Sequence, residues 1–154
     1  MDKKYKIFLD NNSIDYITNN FDKFNTLKEI CDFYITPIIL EEVIKIPDSK
    51  IEKRISNIIT LFKLDTKLVN DSVLVWDCSR WDYSNFGDGK IYNEILIKET
   101  KSNTNDAIMA DSANFYNFKI LTCDKRLIKK LKKNKIDFLT FNQFINLITE
   151  TDNI

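Results

Sequence analysis

Residues 103–125 read NTNDAIMADSANFYNFKILTCDK. Polar residues lead to Asp106, an alanine-rich stretch of helical pattern follows, and an apolar run over residues 118–121 opens onto Thr122, Cys123 and Asp124. The pattern predicts a helix beginning at Asp106 and a short buried strand ending before Asp124. Such an α-then-β unit carries one carboxylate where its helix starts and another where its strand stops. In an open parallel sheet, side chains and loops converge outside the carboxyl ends of the strands, and ligands bind there. Asp124 is thereby placed for chemistry, and what matters next is what joins it.

Downstream, KRLIKKLKKNK over residues 125–135 is a basic helix with Leu127, Ile128 and Leu131 facing inward. Residues 136–139 form a further strand candidate, and Thr140-Phe141 starts a terminal amphipathic helix with Phe144, Ile145 and Ile148 on its inner face. Upstream, residues 5–9 read as a buried strand that ends at Asp10, followed by a helix from about Ile14 with a polar break at Asn19-Asn20. A second helical pattern from about Asn25 leads into a strand candidate at residues 33–35.

Thr36-Pro37 is a helix start, with Thr as N-cap and Pro at the first helical position, where a missing N–H is harmless. The helix it opens is apolar almost all round, so it is expected to be buried and its two acidic residues need a reason. Glu41 lies four residues before Lys45, the orientation of an exposed ion pair. Glu42 shares a face with Ile38 and Ile46 and is the better candidate for a carboxylate held at the core's edge.

Beyond Pro47, Ile51, Ile55, Ile58, Ile59, Leu61 and Phe62 recur at helical spacing, predicting a core-packing helix without chemistry. Residues 73–76 are a third strand candidate, followed by Asp77. SRWDYSNFGDGK, residues 79–90, holds both glycines of the chain and interleaves aromatics with charge, which marks it as a functional loop. A helical pattern over 91–97 and a polar connection over 98–105 return to the opening stretch. Strands alternating with helices in this way predict a three-layer α/β/α fold with a central, mostly parallel twisted sheet.

Composition narrows the chemistry. A chain of 154 residues, 44% apolar and 30% charged with two Gly and two Pro, suits a single helix-rich domain over residues 1–154. Lys+Arg and Asp+Glu balance at 23 each, so any pull on a polyanion must come from locally segregated charge. The absence of histidine removes His general bases, Ser-His and Cys-His nucleophiles and His-ligated metal sites. Cys31, Cys78 and Cys123 form no CxxC pair and read as reduced, mostly buried thiols. The apolar run before Asp10 is too short for a signal peptide and no later run reaches membrane-spanning length, predicting a cytoplasmic protein without a membrane partner.

Taken singly, Asp10, Asp106 and Asp124 each have an ordinary explanation as helix caps, and Glu42 as a half-buried helix residue. Together, two follow strands of a parallel sheet and two lie on neighbouring helices, so all four can meet in one cleft. Carboxylates so gathered raise one another's pKa and are tolerated chiefly when a divalent cation neutralises them. Mg²⁺ and Mn²⁺ take hard oxygen ligands, which suits a site without histidine, and the fitting chemistry is metal-assisted phosphodiester hydrolysis.

FLDNNSI near the start, ITPIILEEV, NDAIMADSA and ILTCDKRL, in this order, resemble the PIN-domain ribonucleases, which include VapC-like toxins of bacterial toxin–antitoxin pairs. The middle of the chain, from about Pro47 to Glu99, matches only in general pattern. The resemblance implies a doubly wound α/β/α fold, Mg²⁺ or Mn²⁺ as cofactor, and RNA as substrate. It places the catalytic and metal-binding acidic residues at Asp10, Glu42, Asp106 and Asp124, with auxiliary polar residues at Asn12 and Thr122. It also implies an antitoxin protein as partner of toxin members, and a homodimer. Arg80, Trp81, Tyr83, Lys125 and Arg126 are the candidate RNA contacts, with Trp81 and Phe86 equally able to anchor their loop on the core or face a protein. Asp77 and Asp82 rank as outer ligands, and Asp111 and Glu41 as second choices.

The rival from another class is a PIN-like RNA- or protein-binding module that does not cut. A phosphotransfer enzyme with Asp10 as nucleophile is weaker, because Asn12 stands where such an enzyme would place a second aspartate.

Overall fold

The computed structural model describes residues 4–24, 27–76, 78–96 and 101–151. Its sheet has five strands, β1 (Tyr5–Leu9), β2 (Cys31–Ile35), β3 (Lys67–Leu68), β4 (Lys119–Leu121) and β5 (Phe138–Leu139). They lie in the order β3-β2-β1-β4-β5, and every pair is parallel. The eight α-helices among the described residues are α1 (Asn11–Asn19), α2 (Leu27–Ile30), α3 (Pro37–Ile44), α4 (Ile51–Lys63), α5 (Lys90–Ile95), α6 (Lys101–Tyr116), α7 (Lys125–Lys133) and α8 (Phe141–Thr151). This is the α/β architecture expected from the alternation of patterns.

Both faces of the sheet are covered at its centre. Successive strand residues point to opposite faces, yet Ile7, Phe8 and Leu9 are all fully buried. Ile7 sits in register with Phe33, and Phe33 meets Phe144 of α8 edge-on, so α8 closes that side. Phe8 sits in register with Tyr34, and both rings pack on Phe118, which closes the other. Starting from β1, the chain builds outward to β2 and β3 on one side, then crosses to β4 and β5 on the other. The reversal opens a crevice between the carboxyl ends of β1 and β4, the topological switch point of such a sheet.

Four local expectations change. Residues 73–76 are no strand. Their backbone is taken up in turns, with Cys78 N–H and Ser79 N–H both donating to Val75 O, and the edge beside β2 belongs to Lys67 and Leu68. Those two residues are exposed and carry no apolar pattern, which hid them. On α4 the buried residues are Asn57, Thr60 and Leu61, whereas Ile51, Ile55, Ile59 and Phe62 are exposed. Its apolar stripe therefore looks outward, because Asn57 and Thr60 turn inward onto α1, hydrogen-bonding Asp15 and Thr18. The polar stretch before Asp106 is helical from Lys101, so Asp106 lies in the second turn of α6 and not at its start. Finally, of the three cysteines only Cys31 is buried; Cys123 is exposed. Residues 25–26, 97–100 and Asp77 lie outside the described residues, and with them part of the expected 91–97 helix and 98–105 connection.

Candidate functional site

Asp10 follows β1 directly and caps α1, its Oδ1 accepting from Ser13 N–H at 2.6 Å. Asp124 follows β4 and caps α7 in the same way, accepting from Arg126 N–H at 2.7 Å and Leu127 N–H at 3.2 Å. The cap explanation is thus correct for both, and the two caps stand on either side of the crevice where the strand order reverses. Capping fixes each carboxylate rigidly at a strand's end, which is what a site built on this edge requires.

Two helices bring the other pair. Glu42 projects from α3, and both of its oxygens are held: Asn11 Nδ2 donates to Oε2 and Asn105 Nδ2 to Oε1. Asn105 immediately precedes Asp106 on α6, and Asn11 immediately follows Asp10. Glu42 is thereby drawn between the two aspartates by amides from their own chain neighbours.

Asp106 feels the other three carboxylates. Burial pushes Asp106 up to about 6, Lys130 of α7 opposes the rise, and the charges of Asp124, Glu42 and Asp10 add to it. Asp10 is only 5% exposed, and burial raises its pKa against hydrogen bonds from Thr122 and Ser13, with Asp124 raising it further. Among the described residues no three Cys, Asp or Glu side chains stand close enough to close around a metal ion as placed. The site is a shared acidic field in which Glu42 is turned onto amide donors and Asp10 and Asp124 onto backbone donors, Asp10 being the buried member and the other three half-buried. Oxygen-only donors in a mutually repelling group suit a small hard divalent cation.

The auxiliary positions divide. Thr122 is buried, bonds Asp10 and accepts Asp124 N–H at 3.1 Å, linking the two sides of the crevice. Asn12 is exposed on α1, while Asn11 beside it faces the acidic group. Lys125 and Arg126 are exposed at the start of α7. Arg80 pairs with Glu41, which also pairs with Lys45. Trp81 and Tyr83 lie exposed in a 3₁₀ turn, and Trp81 and Phe86 are 63% and 82% exposed, so neither anchors the loop on the core. Asp82 is exposed in the same turn, and Asp111 faces away, buried and accepting from Ser72 Oγ and Tyr92 N–H.

Sequence reasoning passed over Asn11, Asn105 and Lys130. The available signal was adjacency, since two asparagines flank the acidic positions and Lys130 shares its helix with the inward Leu127 and Leu131. It also passed over Asp71, fully buried with neither carboxylate oxygen hydrogen-bonded and with its pKa pushed by burial to about 7.

No protein-family model matches the chain, and no curated protein is a significant sequence match. Solved structures do match. PAE2754 from Pyrobaculum aerophilum superposes with a TM-score of 0.59 at 12% identity, over 95% of this chain and 96% of that one. VapBC2 from Rickettsia felis, solved bound to a DNA fragment from its promoter, superposes with a TM-score of 0.57 at 18% identity, over 88% of this chain and 98% of the matched chain. At these identities the likeness establishes a shared fold alone, the α/β class with a central parallel sheet expected from the sequence.

Proposed function

We propose that the protein is a divalent-metal-dependent endoribonuclease that hydrolyses RNA phosphodiester bonds at the crevice between β1 and β4. The observation that carries this reading is geometric: Asp10 and Asp124 cap helices at the carboxyl ends of neighbouring strands, and Glu42 is held by Asn11 and Asn105, the chain neighbours of Asp10 and Asp106, so carboxylates from four segments gather at one place. Asp10, Glu42, Asp106 and Asp124 would hold Mg²⁺ or Mn²⁺. When bound, such a cation lowers the pKa of a water and neutralises charge on the phosphate. The chain's own residues do the positioning. Thr122 orients Asp10, Asn11 and Asn105 hold the Glu42 carboxylate in place, and Lys130 offsets the negative field beside Asp106. Lys125 and Arg126 stand beside Asp124, where an incoming phosphate meets positive charge.

The likeness to VapBC2 and the motif resemblance support a further step, that the protein is the toxin of a toxin–antitoxin pair with a cognate protein partner. A second reading, a PIN-like module that binds RNA or protein without cutting, is favoured by one feature: both oxygens of Glu42 are already engaged by amides.

Cleavage of labelled single-stranded RNA by wild type and Asp106→Asn, with Mn²⁺, with Mg²⁺ and with chelator, separates the two. Metal-dependent cutting, lost by at least a hundredfold in the variant, is expected on the first reading, since such a variant removes a direct metal ligand. Binding without cutting in any metal sinks it and leaves the second.

A further inference from the structure

The chain contains two tryptophans, and both lie in one loop. Trp76 and Trp81 meet at right angles, ring centroids 5.9 Å apart, and are 75% and 63% exposed. In this T-shaped pair one indole turns its edge to the other, and the exposure of both leaves ring surface on the outer side of the pair open to water. Beside them is a cavity of about 340 Å³ lined by Glu41, Leu74, Cys78, Arg80 and the indoles themselves.

The loop that carries them is tied down. Asp71 N–H donates to Tyr83 O at 2.9 Å and Asn85 N–H to Asp71 O at 2.7 Å, closing its base. Ser72 Oγ reaches the buried Asp111 of α6, and Ser79 Oγ accepts Val75 N–H at 3.0 Å across its tip. Arg80 Nε donates to Glu41 Oε1 at 2.6 Å, which docks the tip on α3. Glu41 directly precedes Glu42, whose carboxylate enters the acidic field, so the indoles flank that field across one helix. Glu41 also takes Lys45 at 2.7 Å, so Arg80 and Lys45 share one carboxylate beside the cavity.

We infer that Trp76 and Trp81, with Arg80, form a stacking site for an unpaired nucleobase of the RNA strand whose backbone enters the acidic crevice. Exposed indoles beside the Arg80 guanidinium offer a stacking surface and a cation to a base and its phosphate, and stacking of this kind accepts any base but needs it unpaired. The inference rests on RNA being the ligand of the acidic centre, and it makes the protein selective for single strands or exposed loops.

Because both tryptophans sit in this loop, intrinsic tryptophan emission reports on it alone. The full-length Asp106→Asn protein, chosen to keep the strand intact, is titrated with a short mixed-sequence single-stranded RNA, the same sequence as a duplex, and an abasic strand of equal length. Saturable quenching by the intact single strand only is expected. Trp81→Ala, read through Trp76, should bind roughly tenfold more weakly, the loss of one stacked base, and Trp81→Phe should restore most of that. Circular dichroism verifies that each variant is folded. The inference is overturned if the duplex or the abasic strand quenches as well as the intact strand, if Trp81→Ala binds like its parent, or if no RNA alters the emission. Wild-type cleavage of the same strand with Mn²⁺ is scored separately. Cutting without a stacking signal sinks the base site alone, whereas stacking without cutting sinks the nuclease reading and leaves the base site standing.

Discussion

Asp71 is the residue whose electrostatics are least balanced. It is fully buried, neither of its oxygens is hydrogen-bonded, and Thr36 Oγ1 nearby is likewise without a bond. Burial pushes its pKa to about 7, and the charge of Glu41 adds to the rise. Its folded pKa therefore exceeds the ordinary 3.8, so the native state holds the proton more tightly than the unfolded chain. That preference stabilises fully below about pH 4, is lost as pH climbs through about 7, and leaves an ionised buried group above it. Asp71→Asn cannot ionise. Relative to wild type it should gain stability between about pH 5 and about pH 8, by up to a few kcal/mol. Thermal unfolding of both proteins at the two pH values measures this, and an equal difference at both would refute the assignment.

Among the elements, the loop between β3 and α5 is the one whose conformation depends on a single small residue. A Cβ on Gly87 would stand 2.5 Å from Ser72 O, the same carbonyl that Gly87 N–H bonds at 2.9 Å. Gly87→Ala must push these strands of the loop apart, and a destabilisation of about 1–3 kcal/mol is expected, read as a lowered midpoint in urea. Because Ser72 also holds Asp111 of α6, the disturbance should spread to that helix, visible as faster amide exchange near Asp111. A wild-type midpoint would mean the loop is looser than its hydrogen bonds imply. The same loop misleads a reading of sequence alone, because the valines before residues 79–90 imitate a strand. Periodicity cannot distinguish a short apolar run that joins a sheet from one that packs beneath a loop. Likewise α4 shows an apolar stripe, yet Asn57 and Thr60 are what it buries, because Asp15 and Thr18 of α1 offer them partners.

At the scale of the whole molecule, the proposed metal role predicts that the acidic centre couples stability to divalent cations and to pH together. Asp106, raised to about 6 chiefly by burial, would have to be ionised to bind a cation, so binding should weaken as pH falls through that value. Saturating Mn²⁺ should raise the melting temperature at about pH 8, on the order of 5 °C for a cation at a hundredfold excess over its dissociation constant. The rise should shrink at about pH 5, reverse with chelator, and be largely absent in Asp106→Asn. A shift of the same size in that variant would place the cation elsewhere.

Much of this architecture was legible before folding. Apolar runs followed by aspartates predicted β1 and β4 and the carboxylates at their ends, since strands and caps are written in neighbouring residues. The lack of histidine, together with three scattered cysteines that form no CxxC pair, pointed any metal chemistry to oxygen ligands. Tertiary structure decided the rest. Glu42 is held by Asn11, 31 positions away, and by Asn105, 63 positions away, contacts that exist only once the strand order brings α1, α3 and α6 together. Local pattern specifies which residues turn inward, whereas the partner each one meets is set by the packing of distant segments.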